Sequence, residues 1–157
     1  MNDATKLPSK LALDSSVFIA YFLGEETGPL VKDKILGDPG HDSSCSHLAL
    51  AETFYVLCRE RSREFAQQAL ELLEKTNYVG IRESSDLDYL AAGHKCQRSI
   101  SLADCYAIAL AETIRGSALF VRREKDLRQE IEKSPFRVPI LFLEDIIEPR
   151  VEAQPIR

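Results

Sequence analysis

Carboxylates are the residues of this sequence best placed to do chemistry. Asp14 ends the short apolar run Lys10-Leu11-Ala12-Leu13 and is followed by two serines. Glu52 sits among Leu50, Ala51 and Phe54, an apolar setting for an acid, and Asp104 lies between Leu102-Ala103 and Cys105-Tyr106. Glu124 and Asp126 come just after the apolar run Ala118 to Val121. Taken singly, each has a structural explanation. Asp14 suits the N-cap of a following helix, and Ser101-Leu102-Ala103-Asp104 fits a capping box. Glu124 and Asp126 fit a first helical turn, where the macrodipole favours acids. Glu52 could pair with an arginine at a helix surface.

Taken together they point elsewhere. Several acids gathered in one place repel one another, and burial raises the cost unless a cation neutralises them. An all-oxygen site suits a hard divalent ion, magnesium or manganese above all. Such an ion can lower the pKa of a bound water and stabilise charge on a phosphodiester during in-line attack.

The elements that would position these acids alternate along the chain. Apolar runs at 10–13, 78–81, 118–121 and 138–143 read as strands, with a further strand and loop at 41–46. Between them, apolar residues at helical spacing predict helices. One begins after Asp14, with Val17, Phe18, Tyr21 and Phe22. A break at Gly24 to Pro29 leads into a short helix ending near Leu36, and Gly37 to Gly40 is a turn. Further helices are expected over 47–59, 63–75, 86–96, 101–115 and 124–132. Apolar strands alternating with helices imply an α/β fold, a three-layer α/β/α sandwich around a central parallel sheet. Ligands of such folds bind beyond the carboxyl ends of the strands, which is where Asp14, Glu124 and Asp126 fall. Residues 1–148 read as a single domain, and the proline-bearing segment 149–157 as a loose tail.

The order of these segments resembles the PIN domain family, including its VapC-type toxin ribonucleases. Leu13-Asp14-Ser15-Ser16-Val17-Phe18 is similar to that family's opening, a strand ending in Asp, then a small hydroxyl residue and an apolar helix. His47-Leu48-Ala49-Leu50-Ala51-Glu52 resembles its second motif, and Ser101-Leu102-Ala103-Asp104-Cys105 its third. Val121-Arg122-Arg123-Glu124-Lys125-Asp126-Leu127 resembles the fourth, with departures. Glu124 stands where Asp is usual, Arg122 where Thr or Ser is usual, and Leu127 replaces Phe.

The resemblance implies a metal-dependent endoribonuclease that hydrolyses RNA phosphodiester bonds, the toxin of a toxin–antitoxin pair. It implies Asp14, Glu52 and Asp104 as metal-site acids, with Asp14 and Asp104 as ligands of Mg2+ or Mn2+ and Glu124 or Asp126 as the fourth acid. Ser16 would help hold the metal or its water. Arg122 and Arg123, beside the acids, are candidates for binding substrate phosphate through the guanidinium fork. Arg122 could equally neutralise Glu124 and compete with the metal. The implied partners are RNA, an antitoxin protein and a second copy of the chain. Phe18, Tyr21, Phe22, Phe54 and Tyr55 are candidates for the dimer face, or for ordinary core. Other basic residues near the motifs, Arg59, Arg61, Arg63, Lys95, Arg98, Lys125 and Arg128, could line an RNA groove or form a solvated surface.

Two rival functions remain. A degenerate PIN scaffold would bind RNA or protein without cutting, a reading motivated by Glu124 and Arg122. An aspartyl phosphatase would need a second acid two residues after Asp14, where Ser16 stands instead.

Composition narrows the field. The chain has 157 residues, 45% hydrophobic and 29% charged, ordinary for one globular domain. Its 20 basic and 25 acidic residues leave a net charge of -5, so no whole-molecule basic field attracts nucleic acid. No uninterrupted apolar stretch is longer than Val17 to Leu23, far short of the ~20 residues of a membrane-spanning helix. Four cysteines without a C-x-x-C pair argue against zinc and disulfides, with Cys58 and Cys105 read as buried thiols and the cytoplasm as the expected location. His41, His47 and His94 follow no metal-ligand spacing.

Overall fold

A computed structural model describes residues 6–38 and 40–147. The expected tail from Pro149 to Arg157 lies outside them. Strand β1 (Lys10–Leu13) leads into α1 (Ser15–Phe22), α2 (Gly28–Val31) and a π-helical segment, Lys32–Leu36. Next come β2 (Asp42–Ser46), α3 (His47–Glu60), α4 (Arg63–Thr76) and β3 (Val79–Arg82). A 3-10 turn, Ser84–Leu87, opens α5 (Asp88–Gln97), and α6 (Leu102–Ile114), β4 (Ser117–Phe120), α7 (Lys125–Lys133), β5 (Ile140–Phe142) and α8 (Leu143–Ile147) complete the order.

All four strand pairings are parallel, in the order β3-β2-β1-β4-β5. The chain builds outward from β1 through β2 to β3, then returns to place β4 on the other side of β1. The strand order therefore reverses between β1 and β4, and a crevice opens at their carboxyl ends. Asp14 leaves β1 at that point, its N–H donating to the carbonyl of Leu119 at 3.0 Å.

Alternation along the central strands assigns the two faces. Leu11, Leu13 and Leu119 pack with Val17 and Phe18 of α1, Val31, Ile35, Leu50 of α3 and Leu73 of α4. Ala12, Ala118 and Phe120 point the other way, into a core with Ala91 of α5, Cys105, Ile108 and Leu110 of α6, and Leu127 of α7. Helices thus cover both sheet faces, and the three-layer α/β/α reading stands.

The departures from expectation are local. Strand β2 is not an apolar run: its sequence is Asp-Ser-Ser-Cys-Ser, with Ser43, Ser44 and Ser46 buried. Small side chains suffice in a strand flanked on both edges, and Ser46 supplies the N-cap of α3, accepting from the Ala49 N–H at 3.1 Å. The last strand is shorter than 138–143, because the chain bends at Leu143 into α8. Phe18, a dimer-face candidate, is fully buried, and Phe22 and Phe54 pack together beside Leu57 and Ala66, while Tyr55 stays exposed beneath the Arg59 guanidinium. Cys105 and Cys45 are buried thiols, whereas Cys58 is only partly so.

Candidate active site

The cleft at the β1–β4 switch point is lined by Asp14, Ser16, Glu25, Asp104, Arg122 and Glu124, with Ile19, Phe120, Val121 and Leu127 as its apolar walls. Four carboxylates thus face one guanidinium. They come from four places in the chain: the end of β1, the loop after α1, the first turn of α6 and the loop after β4.

Asp14 is both cap and cleft residue. One carboxylate oxygen accepts the Ser16 N–H at 3.0 Å, capping α1, and the side chain is almost wholly buried. Burial pushes its pKa from 3.8 up to about 6, hydrogen bonds from Ser16 pull it back, and the nearby Glu52 charge adds to the rise. Ser16 also fixes the cleft wall, its hydroxyl accepting the Val121 N–H at 3.2 Å across the gap between α1 and the end of β4.

Asp104 sits on the first turn of α6, where the Ser101 hydroxyl accepts its N–H at 3.1 Å. The carboxylate lines the cleft. A helix N-terminus ordinarily favours an ionised acid, yet here the pKa rises to about 7. Burial is the largest cause, followed by the charge of Asp14; Glu124 and Glu52 add to it, and the Ser101 bond opposes it.

Glu52 stands beside the cleft rather than on its lining. Its carboxylate accepts a short hydrogen bond from the Ser15 hydroxyl, which ties α3 to the start of α1. Glu124 occupies the N-cap position of α7 but makes no side-chain capping bond there, and its carboxylate lines the cleft. Asp126 is exposed on the first turn of α7, outside the cleft lining. Of the two candidates for the fourth acid, Glu124 is the one brought to the others.

The basic residues divide in the same way. Arg122 lines the cleft. Arg123 turns toward α8 instead: its guanidinium pairs with Asp145 and lies 4.8 Å from the Phe142 ring centroid, and its N–H donates to Glu144 Oε1 at 2.7 Å. Lys95 donates to the Ile100 carbonyl at 2.7 Å. Arg98 binds the carbonyls of Glu130 and Ser134 and stacks on Phe136. These groups hold loops together. His41 meets Asp38, His47 meets Glu83 and His94 meets Glu112, all away from the cleft.

Sequence reasoning missed Glu25. It lies in the Gly-Glu-Glu-Thr-Gly-Pro break, and a loop acid carries no periodicity to announce which surface it will reach. It also missed the Ser15–Glu52 bond, for which adjacent serines after a strand-end acid are at most a weak signal.

A divalent cation fits this donor set. The lining offers oxygen donors only, four carboxylates and a hydroxyl, and the acids destabilise one another's charge. Among the described residues no three His, Cys, Asp or Glu side chains close into a ready-made cage. An ion that keeps several waters and takes few protein carboxylates, as magnesium does, suits such an open arrangement.

A family model described as the PIN domain matches residues 11–130. No curated protein matches the chain. Among solved structures, Mycobacterium tuberculosis VapC20, described as a sarcin–ricin loop cleaving toxin, is 20% identical with a TM-score of 0.62, covering 77% of this chain and 94% of that one. A toxin–antitoxin complex from Klebsiella pneumoniae is 17% identical with a TM-score of 0.59, covering 86% and 98%. VapBC2 from Rickettsia felis, bound to a DNA fragment of its promoter, is 10% identical with a TM-score of 0.60, covering 85% and 97%.

Proposed function

The chain belongs to the PIN domain family, and on that premise we propose that it is a divalent-metal-dependent endoribonuclease, the toxin of a toxin–antitoxin pair. The observation that carries this reading is the convergence on Asp104. Asp14, Glu52 and Glu124, drawn from separate elements, all act on its carboxyl and help raise its pKa to about 7. An arrangement so costly to the empty fold is what a bound cation would relieve. Asp14 and Asp104 would hold Mg2+ or Mn2+, with Glu52 and Glu124 binding its waters. The ion would supply a more acidic bound water and a positive charge facing the phosphodiester.

The chain's own residues do the rest. Ser15 fixes Glu52, Ser16 fixes the lip at Val121, and Arg122 offers a guanidinium to a phosphate entering the cleft. The similar structures, a toxin and two toxin–antitoxin assemblies, support an antitoxin as partner. Among the described residues no helix is long and apolar enough to cross a membrane.

The test is cleavage of single-stranded RNA by the pure protein in manganese, beside an Asp14→Asn protein made by the same route. Cutting by the wild type that stops in EDTA is expected. Equal products from both proteins would trace the activity to a contaminant and defeat the proposal. A protein that binds manganese and RNA yet leaves the RNA intact would favour the non-cutting scaffold.

The Ser15 bond provides a finer check. Partners that orient a metal-site carboxylate typically matter by 10–100-fold in affinity or activity. Ser15→Ala, at a buried position where the smaller side chain is easily accommodated, is expected to lower cleavage roughly 10-fold. Melting within a degree or two of wild type would accompany it. Unchanged cleavage would show that Glu52 needs no such support.

A further inference from the structure

Among the described residues Arg122 is the one base on a cleft lining that holds four acids, and its guanidinium has two places to go. Turned inward, it would sit on Asp104 and Glu124 and occupy the space of a cation. Turned outward, it pairs with Glu25. The structure has it outward, Nη2 standing 3.5 Å from Glu25 Oε2, with the arginine side chain 70% exposed. Among the described residues this is the only ion pair Arg122 makes. We propose that Glu25 is a positioning residue that holds the Arg122 guanidinium at the lip of the cleft, and so keeps it from neutralising the acids that bind the metal. The inference rests on the reading that the cleft takes a divalent cation.

Both partners stand on pinned backbone. Gly24 adopts a left-handed φ of 67°, which favours glycine, and turns the chain out of α1. The Glu25 N–H then donates to the Ala20 carbonyl at 2.9 Å, and the Glu25 carbonyl accepts from Gly28 at 2.8 Å. Gly28 is itself tight, since a Cβ there would stand 3.0 Å from the Ala20 oxygen. On the other side, Val121 is held through its N–H by Ser16 and through its carbonyl by the Glu144 N–H at 3.1 Å, while the Glu124 N–H returns to the Arg122 carbonyl at 3.1 Å. The two side chains therefore meet at a place set by the fold.

Why the decoy is needed follows from charge. A family member with Thr or Ser before its fourth acid has no cation to manage there, whereas this chain carries a long, permanently charged side chain two residues from Glu124. Left without a partner at the lip, that guanidinium is drawn inward by Asp14, Asp104 and Glu124. An exposed pair is weak, so Glu25 can bias the position of Arg122 and still yield it to a phosphate.

The test is a double-mutant cycle read by calorimetry of manganese binding, without RNA, on wild type, Glu25→Gln, Arg122→Gln and the double variant. Glu25→Gln is expected to weaken manganese binding about 5-fold, a coupling in the range seen for residues in contact. Arg122→Gln is expected to change it by less than about 2-fold in the wild-type background but to tighten it about 5-fold in the Glu25→Gln background. If Glu25 acted only as one more negative charge, Arg122→Gln would have the same effect in both backgrounds. An additive cycle therefore overturns the inference while leaving the metal reading in place. A wild type that binds no manganese overturns both.

Discussion

Asp104→Asn is expected to cut RNA roughly 10²–10³-fold more slowly than wild type, since a metal's charge stabilisation is worth several kcal/mol. In EDTA the same variant should melt higher than wild type. The two effects have one cause. In the folded chain the Asp104 carboxyl holds its proton up to about pH 7, against 3.8 for an ordinary aspartate. An acid whose pKa is raised by folding costs stability that builds up as the pH rises from its ordinary value, 3.8, to the folded value of about 7, and that is fully present above it. That cost declines as the pH falls from about 7 toward 3.8, and it is absent from the amide variant. Allowing for the partial exposure of the side chain, the gain at pH 8 is about 1–3 kcal/mol, or roughly 3–8 °C for a chain of this size.

Asp14 behaves in the same sense, with its transition at about 6. Asparagine caps helices as well as aspartate does, so Asp14→Asn removes the charge and keeps the α1 cap. Metal-free wild type should therefore gain stability on going from pH 8 to pH 5.5, and each amide variant should gain less. Saturating manganese should raise the wild-type melting temperature and leave the variants nearly unmoved. Thermal melts in EDTA and in manganese at the two pH values decide the matter. A variant that melts below wild type in EDTA at pH 8 would mean that the acids do not burden the fold.

Arg98→Ala should have the largest effect on stability. Its guanidinium donates to the Glu130 carbonyl at 3.2 Å, to the Ser134 carbonyl, and to the Pro135 carbonyl at 3.5 Å. It also lies 3.9 Å from the Phe136 ring centroid and 3.8 Å from the Glu130 carboxylate, with the two side chains only 12% and 9% exposed. Removing one partner of a buried pair leaves an uncompensated charge and costs ~3–5 kcal/mol, a fall on the order of 10 °C in melting temperature. Glu130→Gln on top of Arg98→Ala should recover part of the loss, because the stranded charge goes with it. Calorimetric melts of the three proteins test this. A groove residue would instead weaken RNA binding with no change in melting, and that result would return Arg98 to the RNA surface.

Arg98 also shows where sequence reasoning stops. Its position before the Asp104 helix leaves an RNA groove and a solvated surface both open, but its partners lie more than thirty residues further along, at 130–135. Arg122 and Arg123 are neighbours in sequence and go to different places, one to the cleft and one to Asp145 on α8. Glu124 and Asp126 are separated by one residue, and only Glu124 lines the cleft. Strand β2 has the weakest local signal, since its serines are not apolar and owe their burial to flanking strands.

What the sequence determined by itself was the alternation of strands and helices, hence the sheet covered on both faces; it also singled out Asp14, Glu52 and Asp104 as candidate acids. Those features are local: a period of apolar residues, or an acid where that period leaves no room for one, can be read without knowing what lies opposite. The tertiary structure alone decided which side chains meet, bringing Glu25 to Arg122, Glu124 to Asp104 and Arg98 to the loop after α7. Such pairings depend on the return of β4 beside β1, a long-range step that closes the cleft from segments about a hundred residues apart, and no local pattern encodes the partner at the other end.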